Sequence, residues 1–142
     1  MSAGGPPPAP DPVAAALATR LEDGTLEGAA FRHADHVRLG RWYVQQYGTA
    51  AALARFGSSL RRFAESHGST KYHETITWAF LLLIADRLGD APADQSWDAF
   101  AAANPDLLRF PGIVGDLYRP ETLQSASARA RFRMPDRGGM GD

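Results

Sequence analysis

Residues Lys71–Gly89, KYHETITWAFLLLIADRLG, decide the fold. Tyr72, His73 and Glu74 open the stretch with three groups capable of chemistry, and Ile76–Ala85 follows with Thr77 as its one polar residue. Arg87-Leu88-Gly89 closes it, with glycine where a helix C-terminus takes a left-handed residue. The stretch reads as a central helix, apolar round most of its circumference and therefore buried on most sides. The reactive cluster sits in its first turn. The apolar run is too short to cross a bilayer, which takes about 20 residues.

On the N-terminal side, a helix over Ala50–Ser66 carries Leu53, Phe56, Leu60, Phe63 and then His67 on one stripe. Thr49 is its expected cap, Gly68 its stop, and Ser69 or Thr70 the expected cap of the central helix. Before it, His33–Tyr47 reads as a helix ended by Gly48. At about 100° per residue, His33, His36, Val37, Gly40, Val44 and Tyr47 share its inner face. Arg38, Arg41, Gln45 and Gln46 fall mostly off that face, and Gly40 suits the close approach of a neighbour. Asp11-Pro12 starts a first helix, Pro12–Glu22, and Leu26 and Phe31 anchor the connection that follows.

On the C-terminal side, Ser96 caps a short helix bearing Trp97 and Phe100. Pro105–Pro111 forms a further turn, and Gly112–Tyr118 reads as irregular. Pro120–Phe132 is helical in parts, with Ser125 as an internal cap. No strand alternation and no repeat interrupts this pattern. The fold class is all-α: a bundle of about four main helices with short C-terminal helical pieces. It divides into a disordered arm over 1–10, one helical domain over 11–136 and a flexible tail over 137–142.

The bulk numbers narrow the function. The chain has 142 residues, a formal net charge of -1 and 44% hydrophobic residues. That balance gives no electrostatic reason to bind nucleic acid or an anionic membrane. The absence of cysteine excludes disulfides, iron–sulfur clusters, thiolate zinc sites and a thiol nucleophile. The N-terminus lacks the pattern of a signal peptide, so the cytoplasm is the expected location.

Chain parity brings the chemistry together. Short links make successive helices antiparallel neighbours. The start of the second helix (His33, His36), the end of the third (His67) and the start of the fourth (His73) then meet at one end. These are all four histidines of the chain. His33, His36 and His73 form a candidate three-nitrogen metal site, with Asp35 orienting one of them from outside. Zinc would suit hydrolase or lyase chemistry, and iron or copper would suit oxidoreductase chemistry, on a small-molecule substrate. Glu74, directed toward Trp78 and Leu81, is the candidate base or extra ligand, with Tyr72 beside it as a second catalytic candidate. His73-Glu74-x-x-Thr77 differs from the zinc-protease pattern at the position of its second histidine, so a standard zinc protease is excluded.

Two other readings stand beside the metal-dependent enzyme. A metal-free site at the same end would bind a small anion, or do acid–base work, with Arg32, Arg38, Arg41 and Lys71 joining the helix N-termini. In an interaction module, the histidines would only pack. His67 needs no role beyond favouring the helix dipole. The aromatic residues Trp42, Phe80 and Trp97 read as core.

Phe31-x-His33-x-x-His36-Val37-x-Leu39, Lys71–Thr77 and Leu123-x-Ser125-x-x-Ala128-Arg129 with Pro135-Asp136 together resemble the motifs of a widespread group of small helical bacterial proteins without an assigned activity. The resemblance covers roughly residues 15–136. Gly40-Arg41 and Arg119-Pro120 depart from the usual pattern. The resemblance implies a site common to the group. It also implies that Arg129 and Asp136 reach that site from the C-terminal segment, which adds Arg129 to Arg38 and Arg41 as substrate-binding candidates.

Overall fold

The computed structural model describes residues 8–137. Most of the expected arm and tail therefore lies outside the described residues. The fold is all-α, with no strand among those residues. The helices are α1 (Pro12–Asp23), α2 (His33–Tyr47), α3 (Thr49–Ser66), α4 (Glu74–Gly89), α5 (Trp97–Ala103), α6 (Ile113–Leu117), α7 (Pro120–Leu123) and α8 (Ala126–Ala130), with 3₁₀ turns at Gly28–Ala30 and Pro105–Leu108.

Helices α2, α3 and α4 pack against one another, and α1 lies on α2 and α3. Asp11 caps α1 by accepting from the Ala14 N–H at 3.1 Å. Leu26 and Phe31 anchor the connection into α2, both buried. One residue, Gly48, separates α2 from α3; its φ of 84° and ψ of 166° lie in a region that glycine alone enters without strain. Gly48 also takes the N-cap position of α3, so Thr49 is the first helical residue and not the expected cap.

Helix α4 is apolar all round because it serves two cores. Leu81 packs into a cluster with α1, α2 and α3 around Leu39, Tyr43 and Phe56. Ala79, Phe80 and Ile84 pack into a second cluster with Val37 and the C-terminal pieces through Phe100, Leu107, Val114 and Tyr118. Gly40 sits at the crossing of α2 with α4. A Cβ there would meet Leu81 Cδ2 at 3.0 Å, Ile84 Cδ1 at 3.3 Å and Phe56 Cε2 at 3.4 Å.

Two further segments differ from the sequence reading. Helix α4 begins at Glu74, later than expected, because the His73 side chain itself caps it. Lys71 and Tyr72 therefore precede the helix, and Ser69 and Thr70 cap nothing there. The irregular stretch expected over Gly112–Tyr118 contains α6. A helix that short owes its formation to tertiary packing, here through the buried Val114.

The chain returns over α4 through residues 131–137. The buried Thr75 hydroxyl donates to the Arg131 carbonyl at 2.9 Å and accepts from the Arg133 N–H at 3.0 Å. Tyr118 Oη donates to the Arg133 carbonyl at 2.6 Å. Ser125 caps α8, as its position suggests, by accepting from the Ala128 N–H at 3.1 Å.

Candidate functional site

The start of α2, the end of α3 and the start of α4 share one end of the bundle. His36, His67 and His73 line a cavity of about 420 Å³ there, together with Lys71 and Tyr72. A smaller hollow of about 60 Å³ adjoins it, lined by His33, His36, Thr77 and apolar side chains of α2, α3 and α4. His36, Leu60, Ile76 and Thr77 belong to both walls. The histidines thus gather at one end, as parity requires, but their ring nitrogens are in four different situations.

His73 has both nitrogens engaged. Its Nε2 lies 2.7 Å from the Leu123 carbonyl. A carbonyl only accepts, so Nε2 carries the proton. Its Nδ1 accepts from the Ile76 N–H at 3.2 Å, which is the N-cap bond of α4. No lone pair remains. Burial holds its pKa below the usual histidine value; the Leu123 carbonyl opposes that shift and the positive charge of Arg129 adds to it.

His33 donates Nε2–H to the Leu107 carbonyl at 2.9 Å, which leaves its Nδ1 lone pair free. Phe80 and Phe110 meet the ring edge-on, with centroids at 4.8 and 5.4 Å. Burial lowers its pKa as well. His67 donates Nδ1–H to the Phe63 carbonyl at 2.9 Å, which leaves Nε2 as an acceptor.

His36 is the exception. Its ring stacks on Phe31 with centroids 4.0 Å apart. Among the described residues it makes no hydrogen bond, yet the polar side-chain atoms sealed without a partner are only Arg41 Nε and Gln95 Oε1. The His36 nitrogens therefore open onto cavity space. Burial first, then the neighbouring His33, pushes its pKa down to about 4 against the pull of Asp35. The ring is neutral at physiological pH and presents one donor and one acceptor.

The three-histidine metal set is not assembled. Among the described residues no three His, Asp or Glu side chains form a group that could hold a metal ion. The reason lies in His73, whose nitrogens belong to the helix cap and to Leu123. Asp35 orients no histidine; it reaches back to accept from the Arg32 N–H at 2.9 Å.

Glu74 faces α3 and not Trp78 and Leu81. Arg61 donates to Glu74 Oε1 at 3.0 Å and Tyr72 Oη donates to the same oxygen at 2.6 Å. Glu74 lines neither cavity. Tyr72 does line the larger one, but its hydroxyl is turned to Glu74. Burial, then that bond, holds its pKa well above the usual tyrosine value.

Two of the expected substrate arginines, Arg38 and Arg41, are engaged elsewhere. Arg38 grips Asp11 at the start of α1, with Nε 2.9 Å from Oδ2 and Nη2 2.9 Å from Oδ1. Arg41 is 1% exposed; it donates to the Gln95 carbonyl at 2.5 Å and lies over the Phe100 ring. Arg129 is exposed and its side chain makes no hydrogen bond among the described residues, although its charge is felt at His73. Asp136 lies at the start of α7, where it accepts from the Arg119 N–H at 2.9 Å and from the Thr122 hydroxyl.

Two wall residues escaped the sequence reading. Thr77 is the one polar residue in the apolar run of α4, and it touches both cavities. His67, whose place at a helix C-terminus already suits the dipole, lines the larger cavity. Comparison of the chain with protein-family models, with curated proteins and with solved structures finds no match.

Proposed function

We propose that the larger cavity is a metal-free binding site for a small organic anion. The observation that carries this reading is the open His36 imidazole on the wall between two adjoining cavities. Lys71 supplies the cation on the same cavity, and His67 Nε2 supplies an acceptor for a hydroxyl or N–H of the ligand. His36 offers one donor and one acceptor without charge. Leu60, Phe63, Ala64 and Ile76 form apolar ground between the polar groups. A few convergent polar groups on a mostly apolar wall is the usual make-up of a small-molecule site.

Binding is preferred to acid–base catalysis because a base with a pKa of about 4 takes up protons poorly near neutrality. It is preferred to a three-histidine metal centre because His73 has no lone pair to give. NMR titration of the full chain with acetate, butanoate and inorganic phosphate tests the reading. At least one anion should shift the amides around His36, Lys71 and Thr77, and Lys71→Met and His36→Phe should each weaken that binding about tenfold or more, the effect of losing roughly 1.4 kcal/mol. No shift with any of the three overturns it. So does stoichiometric transition metal in untagged protein that is lost in His73→Ala.

A further inference from the structure

The small hollow behind His36 indicates what kind of anion the site takes. Apart from His33, His36 and Thr77 its lining is apolar, with Val37, Phe56 and Phe80 from three directions. Its volume is about 60 Å³. The hollow adjoins the larger cavity, with four residues common to both walls.

From this we infer that the ligand is amphiphilic: a carboxylate whose head lies in the larger cavity by Lys71 and whose short hydrocarbon tail enters the hollow past His36. This rests on the anion-binding reading above. The neutral state of His36 suits a threshold between the two spaces. A charged ring there would oppose the entry of a hydrocarbon, whereas a neutral ring stacked on Phe31 presents one polar edge to the head and a π face to the tail.

Size sets the tail. A cavity of about 150 Å³ accepts benzene, so about 60 Å³ accepts roughly two to three carbons. Each buried methylene is worth about a fourfold gain in affinity. With the carboxyl carbon and the carbon next to it on the larger-cavity side of His36, the preferred ligands are carboxylates of four or five carbons, straight or branched. Longer chains gain nothing further from the hollow.

The experiment is a calorimetric or NMR titration of the full chain with straight-chain carboxylates from acetate to octanoate, and with inorganic phosphate, on the wild type and two variants. In the wild type, affinity should rise about fourfold per carbon from acetate and level off at butanoate or pentanoate. Val37→Leu, which extends a side chain into the hollow, should move the levelling point shorter; Ile84→Val, which enlarges it, should move it longer. Circular dichroism and thermal melts report folding, and Ile84→Val alone suffices if Val37→Leu fails to fold. Carboxylates that bind equally at every length, or a levelling point that the variants leave in place, overturn the tail assignment and leave the anion site standing. Phosphate binding without carboxylate binding does the same. If nothing binds, both readings fall.

Discussion

His73 is the residue whose replacement best separates a structural role from a metal-binding one. Removal of the imidazole in His73→Ala has three consequences. It takes away the α4 cap, the bond from the Ile76 N–H to Nδ1, which is worth about 1 kcal/mol. It leaves the Leu123 carbonyl without its 2.7 Å partner, at a cost of about 1 kcal/mol or more. It also opens a hole at a side chain that is only 7% exposed. The total is about 3 kcal/mol, which lowers the melting temperature of a domain of this size by roughly 10 °C. His73→Asn keeps an N-cap acceptor but is too short to span to Leu123, so it should recover about 1 kcal/mol of the loss. His67→Ala, at an exposed position, should cost less than about 1 kcal/mol. Urea denaturation of the three variants gives these differences directly. A His73→Ala loss below about 1 kcal/mol, or equal to that of His67→Ala, would refute the reasoning. So would a wild type that loses the same stability when treated with a chelator, for then the imidazole would be acting through a metal.

Protonation of His36 disfavours the fold: its pKa is about 4 folded against 6.5 for a free histidine, so unfolding takes up a proton between these values. Stability should be full above about pH 6.5, fall by roughly 3 kcal/mol toward pH 4 and level off there, and His36→Gln should flatten that window in a urea-midpoint profile. His33 and His73, also lowered, act in the same direction. Gly40→Ala places a Cβ 3.0 Å from Leu81 Cδ2 and should cost about 1–2 kcal/mol by urea denaturation, since the obstructing atom is the end of a side chain that can shift. Thr75→Val removes a bond to each of Arg131 and Arg133 and should cost about 1–2 kcal/mol. It should also speed hydrogen exchange at the Arg133 amide well before the core of α4, and uniform exchange would argue against a local clasp.

The fold was legible because its main signals are local. Gly48 and Gly24 stop helices, Asp11 and Ser96 start them, and the near-continuous apolar run of α4 requires burial on more than one side. The gathering of the histidines followed from short links alone. What was not legible depends on partners far along the chain. His73 looks like a free imidazole in a first turn; it is a cap because Leu123, 50 residues away, holds the ring in place. Arg41 falls off the inner face of α2 by phase, but the Gln95 carbonyl and Phe100 enclose it. Glu74 turns toward Arg61 because an ion pair and the Tyr72 hydroxyl outweigh contact with the apolar flank of its own helix. Helical periodicity gives direction but does not name the partner.

The four histidines also show why a cluster read from sequence says little until the second nitrogen of each ring is followed. In three of them one nitrogen is a donor to a backbone carbonyl, at Leu107, Phe63 and Leu123. Each of these bonds fixes the tautomer, and so determines which lone pair is left. His73 gives its lone pair to α4 and becomes part of the fold. His33 and His67 keep theirs, at the inner and outer cavities respectively. His36 alone has no such bond among the described residues. Its orientation is held by the Phe31 face, which fixes the plane of the ring but not the position of its proton. It is therefore the imidazole that can change tautomer to suit a ligand without breaking a bond of the protein. At the proposed site such freedom would have a use: the ring would donate to a carboxylate on one side while a hydrocarbon passes its face on the other.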